Sequence, residues 1–140
     1  MKLEFCLNPD QAALDCVRDG IRSYNCKHLP EGEVNAVGCF AKDEDGKIIG
    51  GLTGEMFKNT VFVEFLWVDA ESRTSGLGSK LMAMLEQYVK PYGLTHIYLD
   101  TYSFQALDFY LKLGFEKVGQ YSGYPAEGIH KYFLQKEIAE

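Results

Sequence analysis

The chain has 140 residues, 46% of them hydrophobic and 14% aromatic, and a formal net charge of −6 at pH 7. Such a length suits one domain spanning residues 1–140, large enough to bury about two-thirds of its unfolded surface. The acidic balance lacks the basic stripe that nucleic acid requires. No run approaches the ~18 apolar residues of a membrane span, and the start, Met1 to Cys6, has no charged leader and apolar core of the signal-peptide kind.

Residues 2–7 read as a first strand. Asn8-Pro9-Asp10 is a helix start, with a capping Asn, Pro at the first helical position and an acid in the first turn; Leu14, Val17 and Ile21 then recur at helical spacing. Residues 24–33 are broken by Pro30 and Gly32 and read as a short helix or a loop. Residues 37–42 and 48–57 flank Asp43-Glu44-Asp45-Gly46, a hairpin signal, and Lys58-Asn59 turns the chain into a strand at 60–68. After a polar turn, Leu77, Leu81, Met84, Leu85, Tyr88 and Tyr92 form the apolar stripe of a helix that Gly93 ends. A strand at 95–101, a helix at 105–113 and a strand at 115–121 follow. Gly123, Pro125 and Gly128 break residues 121–128 into a loop before a last strand at 130–137.

Cys6, Cys16, Cys26 and Cys39 contain no Cys-x-x-Cys pair, so neither a zinc site nor a disulfide framework is indicated, and a reducing cytoplasm suits them. His28, His96 and His130 share no metal-ligand spacing. No metal is expected.

The most informative stretch is 66–81, where a hydrophobic strand runs through Arg73-Thr74-Ser75-Gly76-Leu77-Gly78 into the long helix. Helix-start N–H groups have no intrahelical partner and carry partial positive charge. Glycines at 76 and 78 let the main chain approach a bulky anion, so the segment reads as a cradle for phosphate or pyrophosphate. A nucleotide P-loop would need Gly-Lys-Ser/Thr, but Lys80 follows Ser79 and precedes Leu81. A dinucleotide fingerprint would need a third glycine or alanine at position 81, and too few βαβ units follow.

Arg73-x-x-Gly76-x-Gly78 resembles the coenzyme A loop of the Gcn5-related N-acetyltransferases (GNAT). Leu66-x-Val68-x-Ala70-x-x-Arg73 is similar to that family's run from its central strand into the loop. Ala106-Leu107-Asp108-Phe109-Tyr110-Leu111-Lys112-Leu113-Gly114-Phe115 resembles its late helix and following strand. The resemblance implies an α/β (α+β) fold with a twisted mixed sheet of six to seven strands and helices on both faces. It also implies a cytoplasmic acetyltransferase that uses acetyl-coenzyme A, without metal, and whose acceptor amine attacks the thioester directly.

The site residues are carried by the same resemblance. Leu66, Trp67 and Val68 would bond the pantetheine arm, with the Leu66 amide polarising the acetyl oxygen. Amides from Thr74 through Ser75, Gly76, Leu77 and Gly78 to Ser79 would hold the pyrophosphate beside Arg73. Tyr110 would protonate the leaving thiolate. Where members often carry an asparagine on the pantetheine, this chain has Ser103, so that contact would be weaker or would be replaced through Gln105. Glu64, the only acid between Thr60 and Val68, is the candidate base in a strand expected to be covered on both faces. Glu55 and water remain alternatives. Tyr24, Asn25, Tyr121 and Tyr124 fall in segments that line the acceptor cleft in similar proteins. The acceptor is expected to be a small-molecule amine. A protein N-terminus or lysine, or a coenzyme A-binding module without turnover, are the alternatives, and association as a homodimer is left open.

Overall fold

The computed structural model describes residues 1–138, in two compact units, Met1–Gly32 and the described residues from Glu33 onward. In the first unit, residues 2–7 form no strand, because extended chain becomes a strand only when a neighbour takes up its backbone groups. Helix α1 (Gln11–Asn25) begins two residues later than the Asn-Pro signal implies. Asp10 is its cap, accepting a hydrogen bond from Ala13 N at 2.9 Å, while Asn8 sits upstream at φ +56°. Turns, with no second helix, follow Asn25.

The second unit is a six-stranded mixed sheet. Strands β1 (Asn35–Lys42), β2 (Ile48–Phe57) and β3 (Thr60–Val68) form an antiparallel meander. The first hairpin is fixed by the Asp43 carboxylate, which accepts N–H groups from Asp45 and Lys47 at 2.9 and 3.0 Å. A single 3₁₀ turn (Ala70–Ser72) leads to helix α2 (Leu77–Val89), which carries the chain back to β4 (His96–Tyr102), parallel to β3. A short helix α3 (Leu107–Lys112) precedes β5 (Glu116–Ser122) and β6 (His130–Glu137). The sheet order is β1-β2-β3-β4-β6-β5, with β6 antiparallel to both neighbours.

Alternation along the strands sends Leu52, Val61, Ile97 and Leu134 to one face, where they meet Leu81 and Leu85 of α2 and are essentially sealed from solvent. Tyr110 of α3 belongs to the same core, so α2 and α3 pack on one side of the sheet. Among the described residues no helix is long and apolar enough to cross a membrane.

Two irregularities set up the site. Between β2 and β3 the register slips: Thr53 pairs with Phe65 and Gly54 with Val63, so Glu64 is an unpaired bulge residue. A Cβ on Gly54 would lie 2.3 Å from Phe62 O, so only glycine fits beside the bulge. On the other edge, β3 pairs with β4 only from Thr60↔His96 to Val63↔Leu99, although both strands run on, to Val68 and Tyr102.

Candidate active site between the parted strands

From Glu64 onward the edge of β3 that met β4 has no strand beside it among the described residues. Five residues, 64–68, at ~3.3 Å each leave about 16 Å of open edge. Which peptide groups face that edge follows from the antiparallel pattern. Asp69 N donates to Ile49 O at 2.8 Å, so Asp69 points its amide toward the β2 side. Alternation then directs the backbone groups of Trp67 toward β2 and those of Leu66 and Val68 away from it, into the opening. Val68 O is used by the Arg73 side chain, whose Nε donates to it at 3.0 Å. The Leu66 N–H and C=O remain directed at the gap, where an extended, amide-bearing chain would find ladder partners.

The opening ends at the start of α2. Arg73 ties this loop to the end of β3, and the Ser75 hydroxyl donates to Ser72 O at 2.6 Å. The first helical bond is Lys80 N to Gly76 O, and the cap Gly76 offers no side chain. The N–H groups of Leu77, Gly78 and Ser79 therefore lack intrahelical acceptors and add the positive end of the helix dipole.

The two glycines differ in purpose. Gly76 is left-handed at φ +77°, and a Cβ there would meet nothing within 4 Å, as expected at an open anion cradle. A Cβ on Gly78 would lie 3.2 Å from the Phe109 ring, so this glycine admits α3 against α2. Thr74 stands at φ +73°, the backbone angle glycine would take.

Tyr110 lies in α3 with its ring packed edge-on between Phe109 and Phe115, centroids 5.1 and 5.7 Å away. The ring is buried, yet no described buried side-chain oxygen lacks a partner, so the hydroxyl, which has no protein hydrogen bond among the described residues, is not sealed from solvent. Burial, and then the negative charge of Asp100, push its pKa up to about 12. It therefore keeps its proton across the neutral range.

Asp100 is a residue that sequence reasoning missed. It is the first β4 residue beyond the last β3 pair, on the face opposite Leu99 and Thr101. The signal was available in the alternation of residues 97–101, which buries Ile97, Leu99 and Thr101 and sets Asp100 apart from them. Its Oδ1 lies 3.7 Å from the Lys131 ammonium, which stands 5.7 Å from the Tyr102 ring centre and 5.5 Å from that of Tyr124. The Tyr121 ring contacts those of Tyr124 and Phe133, at 5.4 and 4.7 Å.

The other expected site residues are differently disposed. Glu64 is the unpaired bulge residue of β3 and its side chain is exposed, while Val61 and Val63 of the same strand belong to the core. Glu55, also exposed, is opposite Phe62 across the β2–β3 ladder. Ser103 links two chain segments: its N–H donates to His130 O at 2.8 Å and its Oγ accepts from His130 N at 3.0 Å. Gln105 is likewise engaged, its Oε1 accepting from Thr101 Oγ1 and Tyr102 N. Tyr24 and Asn25 close α1 in the first unit, with the Tyr24 ring 5.0 Å from that of His28. Among the described residues no group of His, Cys, Asp and Glu could hold a metal ion.

Comparison with known proteins bears on the family and the fold. The model of the acetyltransferase (GNAT) family matches residues 11–115. Acetyltransferase Atu2258 of Agrobacterium fabrum is 30% identical over 110 residues, 79% of this chain and 80% of that protein. Blasticidin-S acetyltransferase of Streptomyces morookaense is 36% identical over 100 residues, 71% and 73% of the two chains. The crystal structure of an acetyltransferase from Bacillus cereus ATCC 14579 superposes with a TM-score of 0.87 at 32% identity, covering 96% of this chain and 97% of the other. With the family model spanning most of its length and the parted strands ending at an open helix start, this chain belongs to the GNAT family and is an acetyltransferase.

Proposed function

We propose that the chain transfers the acetyl group of acetyl-coenzyme A to a primary amine of a small molecule by direct attack. The observation that carries this reading is the open edge of β3, with the Leu66 peptide turned toward it and the free N–H groups of Leu77, Gly78 and Ser79 at its end. An extended arm with amides and a terminal pyrophosphate matches both halves of that opening. The similarity to a blasticidin-S acetyltransferase supports a small-molecule acceptor.

Bound acetyl-coenzyme A supplies a thioester whose carbonyl carbon accepts an amine and whose sulfur departs as a thiolate. The protein's part is to hold, polarise and move protons. Leu66 N–H is an oxyanion-type donor aimed into the gap, and it needs no reorganisation because the β2–β3 ladder fixes its direction. The Tyr110 hydroxyl retains its proton up to about pH 12 and is the donor for the thiolate sulfur. Coenzyme A thiols titrate well below that, so the transfer is favourable only within a hydrogen bond that forms as the thiol leaves. Glu64, exposed beside the opening, serves as a base through water rather than as a buried carboxylate. Arg73 holds the loop shape from which the pyrophosphate contacts arise.

The test is release of free thiol from acetyl-coenzyme A in the presence of a panel of small amines and of peptides with free N-termini or lysines. Amine-dependent release with acetylated small-molecule product is expected. Coenzyme binding with no release for any acceptor would leave a binding module, and release with peptides alone would reassign the acceptor class.

A further inference from the structure

We propose that the Asp100 carboxylate, whose ion-pair partner Lys131 also stands over the rings of Tyr102 and Tyr124, binds a cationic group of the acceptor, an ammonium or guanidinium, and that the Lys131 ammonium is its internal occupant, displaced when the acceptor enters. The proposal rests on the acetyltransferase reading and names the acceptor class for that site.

Position is the first argument. Asp100 is the first residue of β4 after the strands part, so it borders the opening where the Leu66 peptide is directed. The second is composition. One ammonium is within reach of the carboxylate and of two tyrosine rings together, which is the composition of a cation site: the anion supplies charge, and the ring faces attract a cation within about 6 Å of their centres. Lys131 shows that a primary ammonium fits, at 5.7 and 5.5 Å from the two rings. The third is that the walls are already assembled. Tyr124 is braced by Tyr121, which rests on Phe133, and Tyr102 stacks on Phe104 at 5.3 Å. A ligand would have little ordering cost left to meet.

The hold on Lys131 is weak. Its Nζ is 3.7 Å from Asp100 Oδ1, against ~2.7–2.9 Å for a charge-assisted hydrogen bond. Both side chains keep some solvent contact, 21% for Lys131 and 31% for Asp100, and a lysine stem can swing its ammonium into water. An incoming cation that reaches true hydrogen-bond distance gains what Lys131 does not, while Lys131 regains full hydration.

The test uses agmatine, which carries one ammonium and one guanidinium on a butyl chain, with 1,4-butanediol as the uncharged control. Binding is measured by calorimetry on the full chain saturated with coenzyme A. Agmatine is expected to bind and the diol not to. Asp100→Asn should weaken agmatine by about tenfold or more, the loss expected for one charge-assisted contact, and Asp100→Glu should restore much of it. Lys131→Met keeps the stem, removes the competing ammonium and should tighten binding. An Asp100→Asn affinity equal to wild type, weaker binding in Lys131→Met, or no agmatine binding to wild type would each overturn the proposal. Should Asp100→Asn fail to fold, Lys131→Met decides. Coenzyme affinity, measured separately in each protein, tells a failure of the acetyltransferase reading from a failure of this one.

Discussion

Thr74→Gly should stabilise this protein, although it deletes a side chain and loosens a loop. Thr74 stands at φ +73° between the 3₁₀ turn and the cap of α2. A left-handed backbone brings Cβ against the following carbonyl and costs an L-residue about 1–2 kcal/mol, with β-branching adding to the crowding. Glycine removes that cost but gives the unfolded chain more freedom, which costs about 0.5–1 kcal/mol. The difference is a gain of about 0.5–1 kcal/mol, or roughly 2–4 °C in Tm for a domain near this size. Thr74→Ala retains the Cβ and is the control. Thermal melts of the three proteins without coenzyme decide it: glycine should melt highest, and a glycine variant melting no higher than the alanine variant would refute the strain argument.

Three further outcomes follow from the same geometry. Tyr110→Phe should lower kcat by roughly 10²–10⁴-fold with coenzyme affinity nearly unchanged; full turnover would reduce Tyr110 to packing between Phe109 and Phe115. Because the folded pKa of Tyr110 is raised to about 12, native protein keeps a proton that the unfolded chain releases above about pH 10. Its stabilising effect is complete below pH 10 and is lost as pH rises to 12, at about 1.4 kcal/mol per pH unit, so urea midpoints of wild type should fall faster than those of Tyr110→Phe in that window; parallel decline would contradict the assigned shift. Gly78→Ala gains up to about 1 kcal/mol of helix propensity but sets a Cβ 3.2 Å from the Phe109 ring, so its gain should be larger in a Phe109→Leu background, and equal effects in both backgrounds would remove the packing role of Gly78.

Local pattern carried much of the fold. Strands 48–57 and 60–68 have the bounds that turn residues on either side assign them, and α2 begins at Leu77, where the apolar stripe starts. Where the pattern failed, the cause was a partner distant in sequence or a competing side chain. Residues 2–7 have strand-like composition but take no place in the sheet. Helix α3 begins at Leu107 rather than 105 because the Gln105 side chain caps the turn through Tyr102 N and Thr101 Oγ1.

The candidate site was legible where it is made of backbone. The loop and helix start at 73–79 announce their amides by glycine and helix-start chemistry, whereas the part of Leu66, Trp67 and Val68 was implied by the family resemblance. Side-chain surroundings were not legible in that way. Gly78 meets Phe109 thirty-one positions on, and the Asp100–Lys131 pair joins β4 to β6; neither spacing follows any helical or strand period. The bulge that exposes Glu64 depends on Gly54 in another strand, so an acid in an apolar run gave no hint of it.

The central claim is that acetyl-coenzyme A lies along the open edge of β3 and ends on the start of α2. Amide-resolved hydrogen exchange, with and without acetyl-coenzyme A, tests it most directly. The N–H groups of Leu66, Leu77, Gly78 and Ser79 should exchange markedly more slowly when the coenzyme is present, while that of Trp67, already turned toward β2, should change little. Unchanged exchange at Leu66 and at the helix start, under saturating coenzyme, would contradict the account.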